Sequence, residues 1–247
     1  MSKGLAGIIA GDSSISTVGL GSGLNYRGYN IVDLAQNSTF EEVLYLLLFE
    51  RLPRKNELLY LIKKISALRT IPSKLKTILE TLPKNSNCMD IMRTITSVLG
   101  ILEPENQFNN SIDISIRLIA LYGPCLIYWY HFHHSNIRIN EHTGEYDTVA
   151  ENFLKLLKGS QPSEIEVRTV DISLILYAEH DFNASTFSGR VVVSTKSDFY
   201  SGICAAIGAL RGPLHGGANE AAMEFLKGIN SVEEGEKKVR NHYFFII

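Results

Sequence analysis

The chain has 247 residues, 45% of them hydrophobic and 20% charged, with a formal net charge of −2. That length and balance describe one large or two modest globular domains with enough apolar residues for a substantial core. They give no electrostatic case for a nucleic-acid partner, since no basic tract stands out.

Other exclusions follow from local features. Residues 1–7 lack the long apolar core of a signal peptide. No apolar run reads as long enough to span a bilayer; residues 118–130 and 172–178 are interrupted or too short, so no membrane partner is expected. Cys88, Cys125 and Cys204 are few, odd in number and widely spaced. They read as reduced thiols of a cytoplasmic protein, not as a disulfide framework or a zinc site.

The first thirty residues are Gly-rich and extended. Residues 15–18 and 24–27 are short β-like runs joined by Gly19-Leu20-Gly21-Ser22-Gly23, which predicts a small hairpin. No Gly-Lys-Ser/Thr follows these glycines and no helix opens on them, which argues against a phosphate or dinucleotide loop. Arg27 reads either as a substrate clamp or, more simply, as one half of a structural ion pair.

Helical signals then take over. Thr39 and Glu42 form a capping-box pattern before the apolar run 43–49. Leu52-Pro53 closes that helix. Residues 56–68 place Leu58, Leu61, Ile62, Ile65 and Leu68 on one face. Pro72 and Pro83 bracket a short helix, and Asn87 is a candidate cap for a helix through Leu99. Residues 103–110 read as a polar loop. Residues 112–134 form a long apolar helix with Gly123-Pro124 inside, where a proline predicts a kink. His131, His133 and His134 end it. A metal site is one reading of those three, but no carboxylate lies among them and His133 points elsewhere on a helix. Histidines also suit the negative end of a helix.

Residues 140–147 are a polar loop and 149–158 a helix. Pro162 stands at the expected first turn of the next helix, whose apolar stripe is Val167, Val170, Leu174 and Tyr177. That helix runs into a dense polar cluster, residues 179–186. There His180, Asn183 and Ser185 are suited to hydrogen-bond a polyanionic ligand. A Ser185–His180–Asp181 triad is disfavoured, because sequence neighbours seldom have triad geometry and no Gly-x-Ser-x-Gly elbow is present. Ser197 or Asp198 caps a helix over 199–210. Its small residues (Ser201-Gly202, Ala205-Ala206, Gly208-Ala209) allow close approach of another helix, within the domain or across a dimer interface. Ser231 and Glu234 form a further capping box. No βαβ alternation or tandem repeat is present, so the chain reads as nearly all-α with one N-terminal hairpin.

The stretch Gly212-Pro213-Leu214-His215-Gly216-Gly217-Ala218-Asn219-Glu220 separates two helical patterns. Pro213 stops the first. Gly216 and Gly217 let the backbone pass close to another group. Residues 218–226 are good helix formers. His215 therefore sits next to a helix N-terminus, whose positive end disfavours an imidazolium. A neutral imidazole there can donate to an oxygen that gains negative charge. The alternative is an incidental histidine in a helix-joining turn.

Tyr177-Ala178-Glu179-His180-Asp181-Phe182-Asn183-Ala184-Ser185-Thr186 and the stretch 212–220 together resemble the citrate synthase family, and Tyr26-Arg27-Gly28-Tyr29 fits as well. Tyr128-Trp129-Tyr130 with His133-His134 looks like the 2-methylcitrate synthase branch. The resemblance runs from about Gly4 to Asn241. It implies a mostly helical homodimer that condenses an acyl-CoA with oxaloacetate without metal or prosthetic group, the acyl-CoA being a substrate. The favoured acyl donor is propionyl-CoA, with acetyl-CoA as the alternative. By resemblance His215 is the catalytic histidine at the thioester oxygen, and His180 and Asn183 bind oxaloacetate.

The resemblance also implies two parts. Residues 1–212 correspond to an incomplete large helical domain and 213–247 to the start of a small CoA-binding domain. His242-Tyr243-Phe244-Phe245-Ile246-Ile247 departs from the family pattern, and the family's later histidine, catalytic aspartate and substrate-binding arginines have no counterpart. The expectation is a truncated or frameshifted chain, inactive as it stands, or a non-catalytic relic that still binds oxaloacetate or dimerises.

Overall fold

A computed structural model describes residues 10–18, 23–217, 223–225 and 227–243. The chain enters through an antiparallel three-stranded sheet, β1 (Ser16–Thr17), β2 (Asn25–Tyr26) and β3 (Tyr29–Asn30), in sequential order. Ser16 pairs with Tyr26, and Tyr26 with Tyr29. The expected hairpin is therefore present as β1–β2, and a third strand extends it. The β2–β3 turn is Arg27-Gly28, with φ of 48° and 87°. Positive φ at both central residues is the two-residue hairpin geometry that matches strand twist. Arg27 accepts this conformation because its N–H donates to the Ile15 carbonyl at 2.7 Å, and its Nη1 donates to Ser14 Oγ at 2.9 Å. Its Nη2 lies 3.2 Å from Glu50 Oε1. Of the two readings of Arg27, the structure shows the ion pair.

Helices follow: α1 (Ile31–Asn37), α2 (Phe40–Phe49), α3 (Lys55–Ala67), α4 (Ser73–Thr81) and α5 (Cys88–Leu102). Then come α6 (Ser111–Ser135), α7 (Val149–Lys158), α8 (Glu164–Tyr177), α9 (Ala184–Ser194), α10 (Phe199–Leu210) and α11 (Val232–Tyr243). The caps explain many of the starts. Thr39 and Glu42 make a reciprocal capping box, as do Thr148 and Glu151. The side chains of Asn87 and Asp198 accept from the first turns of α5 and α10. Each such cap satisfies N–H groups that have no partner inside the helix. Helix α1, with Asn30 as its cap, adds to the expected elements.

Helix α6 is the axis of the fold. On one side Ile114, Leu118, Leu121, Cys125, Tyr128 and Trp129 pack with Leu75 and Leu79 of α4, Ile91, Ile95 and Leu99 of α5, and Tyr200 of α10. On another side Ile116 and Ala120 meet Leu44 of α2 and Leu61 and Ile65 of α3. A helix apolar around most of its circumference is a core helix. It continues through Pro124 and reaches 25 residues, with a mean hydropathy of 1.3 over its most apolar stretch. By length and composition alone it is able to cross a membrane, unlike the shorter run expected from sequence. Half of that stretch is buried inside the protein.

Buried polar groups tie the loops to this core. Arg69 is 1% exposed and donates through Nη2 to the carbonyls of Asp147 and Thr148 at 2.7 and 3.1 Å. Glu41, also 1% exposed, accepts the Val149 N–H at 2.8 Å. Asp171 accepts the Phe40 N–H at 2.8 Å and pairs with Arg168 at 2.6 Å. Of the apolar stripe expected in α8, Val167, Val170 and Leu174 are half-buried, whereas Tyr177 is 71% exposed. The fully buried positions of α8 are Asp171 and Ile175, and an apolar-stripe argument does not see a buried carboxylate that accepts the N–H of a neighbouring helix. The start of α8 shifts too: Ser163 is the cap, and Pro162 precedes it.

The small face of α10 packs against α9. A Cβ on Gly202 would sit 2.6 Å from Val193 Cγ1, and one on Gly189 would sit 3.2 Å from the Gly202 carbonyl oxygen. The close helix approach expected from residues 201–209 thus occurs inside the chain.

Candidate active site

Two loops hold the candidate site residues: the segment between α8 and α9, and the turn after α10. In the first, Asn183 caps α9. Its Oδ1 accepts from the N–H groups of Ser185 and Thr186 at 2.9 and 3.1 Å. Its Nδ2 donates to Thr186 Oγ1 at 3.2 Å. The side chain proposed from sequence as a ligand contact is engaged in holding the loop. His180 is exposed on the same loop.

In the second loop, residues 212–216 form successive turns, with the His215 N–H donating to the Gly212 carbonyl at 3.1 Å. A Cβ on Gly216 would overlap the Leu210 carbonyl oxygen. Only glycine lets the chain fold back there, as the sequence implied. The expected helix over 218–226 lies mostly outside the described residues; Met223, Glu224 and Phe225 are helical.

The two loops meet. Ser185 Oγ and His215 Nε2 are 2.8 Å apart and partly buried. Ser185 lies in the first turn of α9, so the histidine is held beside the positive end of an 11-residue helix. The disfavoured triad does not form, because Ser185 pairs with His215. When the Ser185 hydroxyl donates to Nε2, the ring proton resides on Nδ1, leaving that atom as a donor.

The loop before α9 is anchored to the sheet. Tyr26, fully buried, donates its hydroxyl to the Ile175 carbonyl at 3.0 Å and accepts the Glu179 N–H at 3.3 Å. Burial pushes the Tyr26 phenol above its usual range. Ser16 Oγ donates to Glu179 Oε1 at 3.0 Å. Sequence reasoning did not single out Ser16, Glu179 or the Tyr26 hydroxyl, and no local pattern marks such long-range contacts.

A pocket of about 170 Å³ lies against this motif, lined by Asp12, Ser14, Glu179, Asp181, Thr186 and Arg190 among others. A separate cavity of about 350 Å³ beside Phe40, Tyr122, Leu126, Phe153, Val170 and Leu174 is almost wholly apolar. It includes none of His180, Asn183, Ser185 or His215. Among the described residues, no group of three or more His, Cys, Asp or Glu is placed to hold a metal ion. The histidines ending α6 serve packing instead. His131 and His133 bond the carbonyls of Leu156 and Leu79, each at 3.0 Å, and His134 stacks on Tyr130.

A mostly helical domain thus joins the two polar motifs through a serine–histidine contact. The citrate synthase C-terminal domain family model matches residues 4–243, and the chain belongs to that family. It is 50% identical over 225 residues to 2-methylcitrate synthase of Shewanella oneidensis, covering 91% of this chain and 60% of that protein. It is 40% identical over 246 residues to citrate synthase 2 of Bacillus subtilis, covering 96% of this chain and 64% of that one. Among solved structures, citrate synthase from Thermotoga maritima matches with a TM-score of 0.82 and 34% identity, over 98% of this chain and 64% of that chain. The chain thus spans about three fifths of the length of these relatives.

Proposed function

We propose that this chain carries part of the active site of a 2-methylcitrate synthase, which condenses propionyl-CoA with oxaloacetate to give 2-methylcitrate and CoA. The observation that carries the reading is the Ser185–His215 hydrogen bond, which joins the family's two motifs. His215 donates from Nδ1 to the thioester carbonyl oxygen as a proton leaves the acyl α-carbon. Charge gathers on that oxygen, and a preoriented donor is worth most at that point. The α-carbon then attacks the ketone carbon of oxaloacetate, and water cleaves the thioester. His180 and the α9 N-terminus, capped by Asn183, face the dicarboxylate.

The base at the α-carbon and the acid at the ketone are groups other than these three. On this reading the 247 residues alone bind oxaloacetate without turning over. No metal or prosthetic group takes part, and the intact protein works as a cytoplasmic homodimer in which residues 213–247 open the CoA-binding domain. The branch assignment rests on the 50% identity to a protein named 2-methylcitrate synthase. Acetyl-CoA is the competing donor, since one methylene discriminates by only about 1–3 kcal/mol.

The test is thiol release from propionyl-CoA and acetyl-CoA, with and without oxaloacetate, alongside thermal unfolding. The expected result is no release, but a higher Tm with oxaloacetate that is lost in His180→Ala. Absence of any oxaloacetate effect on wild-type protein refutes the reading.

A further inference from the structure

Peptide groups on either side of His180 are clamped to the N-terminal sheet. Before it, the Glu179 N–H donates to the buried Tyr26 hydroxyl at 3.3 Å. After it, the Asp181 N–H donates to Glu179 Oε1 at 2.5 Å and to Ser16 Oγ at 3.1 Å. Ser16 Oγ itself donates to Glu179 Oε1 at 3.0 Å, which closes a three-membered network. Ser16 is only 6% exposed and lies on β1, 163 residues away in sequence. Asp181 has φ 56°, a left-handed conformation that aspartate adopts more readily than most non-glycine residues. A carboxylate accepting two donors on one oxygen is the strongest available restraint here.

We infer that Glu179 is a positioning residue: its carboxylate, braced by Ser16, fixes the His180 peptide so that the exposed imidazole faces oxaloacetate. This rests on the reading of the site given above. The clamp acts on the backbone, so the loop is ordered before the ligand arrives and less of that cost falls on binding.

The experiment uses the full chain. It compares Glu179→Ala, Glu179→Gln and Ser16→Ala with wild type, by oxaloacetate affinity and by amide hydrogen exchange at Asp181. Glu179→Ala is expected to weaken oxaloacetate binding about tenfold or more, in the range for a lost charge-assisted hydrogen bond, and to remove protection of the Asp181 amide. Glu179→Gln keeps an acceptor oxygen and restores both within about threefold. Ser16→Ala loses one brace and falls between them. Wild-type exchange and affinity in Glu179→Ala overturn the inference. So does equal damage in Glu179→Gln, which would make the charge, not the placement, the working element. A wild-type chain with a protected Asp181 amide but no oxaloacetate affinity refutes the site reading and leaves Glu179 a structural residue only.

Discussion

Replacing Glu41 by glutamine tests how the core tolerates a buried acid. Glu41 is 1% exposed; one carboxyl oxygen accepts the Val149 N–H and the other has no hydrogen-bond partner among the described residues. Burial, the largest cause, raises its pKa from 4.5 to about 7; nearby Asp171 adds to the rise, while the Val149 N–H and Arg69 oppose it. The unfolded chain ionises near the ordinary value. Because the folded value is raised, the folded state holds the proton more tightly. The resulting stability is fully present below pH about 4.5 and is lost as pH rises to about 7. At about 1.4 kcal/mol per tenfold change in proton affinity, that interval corresponds to about 3 kcal/mol. Glutamine has a similar shape and does not titrate. The stability difference between Glu41→Gln and wild type, from urea unfolding at pH 5 and pH 8, is therefore expected to move by about 2–3 kcal/mol in favour of the variant at the higher pH. Groups common to both proteins cancel in that difference. A difference that stays constant between the two pH values refutes the reasoning.

Other outcomes follow from the same geometry. Ser185→Ala removes the partner of His215 Nε2; NMR of the His215 ring is expected to show loss of the single tautomer, with global stability changed by about 1 kcal/mol or less. Gly216→Ala forces a Cβ onto the Leu210 carbonyl, so the turn must open. The Ser185–His215 contact is expected to break even where circular dichroism shows the helices intact. Gly202→Ala puts a methyl 2.6 Å from Val193 Cγ1, and overpacking of α9 on α10 is expected to cost about 1–3 kcal/mol by chemical denaturation. Tyr26→Phe strands the Glu179 N–H and removes the hydroxyl donor from the Leu176 carbonyl, while the Ile175 carbonyl keeps the Ala178 N–H. A loss of about 1–2 kcal/mol is expected, together with faster amide exchange at Glu179.

Much of the architecture was legible locally. Thr39 with Glu42, Asn87 and Asp198 marked helix starts because capping acts over two or three residues. Residues 149–158 and 199–210 were recognisable as helices with the bounds the structure shows. The glycine at 216 announced a close approach, which proved to be to Leu210. The two polar stretches around His180 and His215 carried the family resemblance without any coordinates.

The rest depended on contacts between residues far apart in sequence. A strand of two residues such as Tyr29–Asn30 has no periodicity to read; only pairing with Asn25–Tyr26 makes it a strand. The apolar residues of α8 suggested a face including Tyr177, but Tyr177 is exposed and Asp171, which accepts the Phe40 N–H, is buried instead. Arg27 offered two roles until Glu50 was found beside it. Sequence by itself determined which residues were candidates for the site and where many of the helices began, because those signals span a turn or two of chain. Tertiary structure alone decided that Ser185 meets His215 and that Ser16 and Tyr26 hold the His180 loop, because such hydrogen bonds join groups brought together only by packing of the sheet against α8 and of α9 against α10.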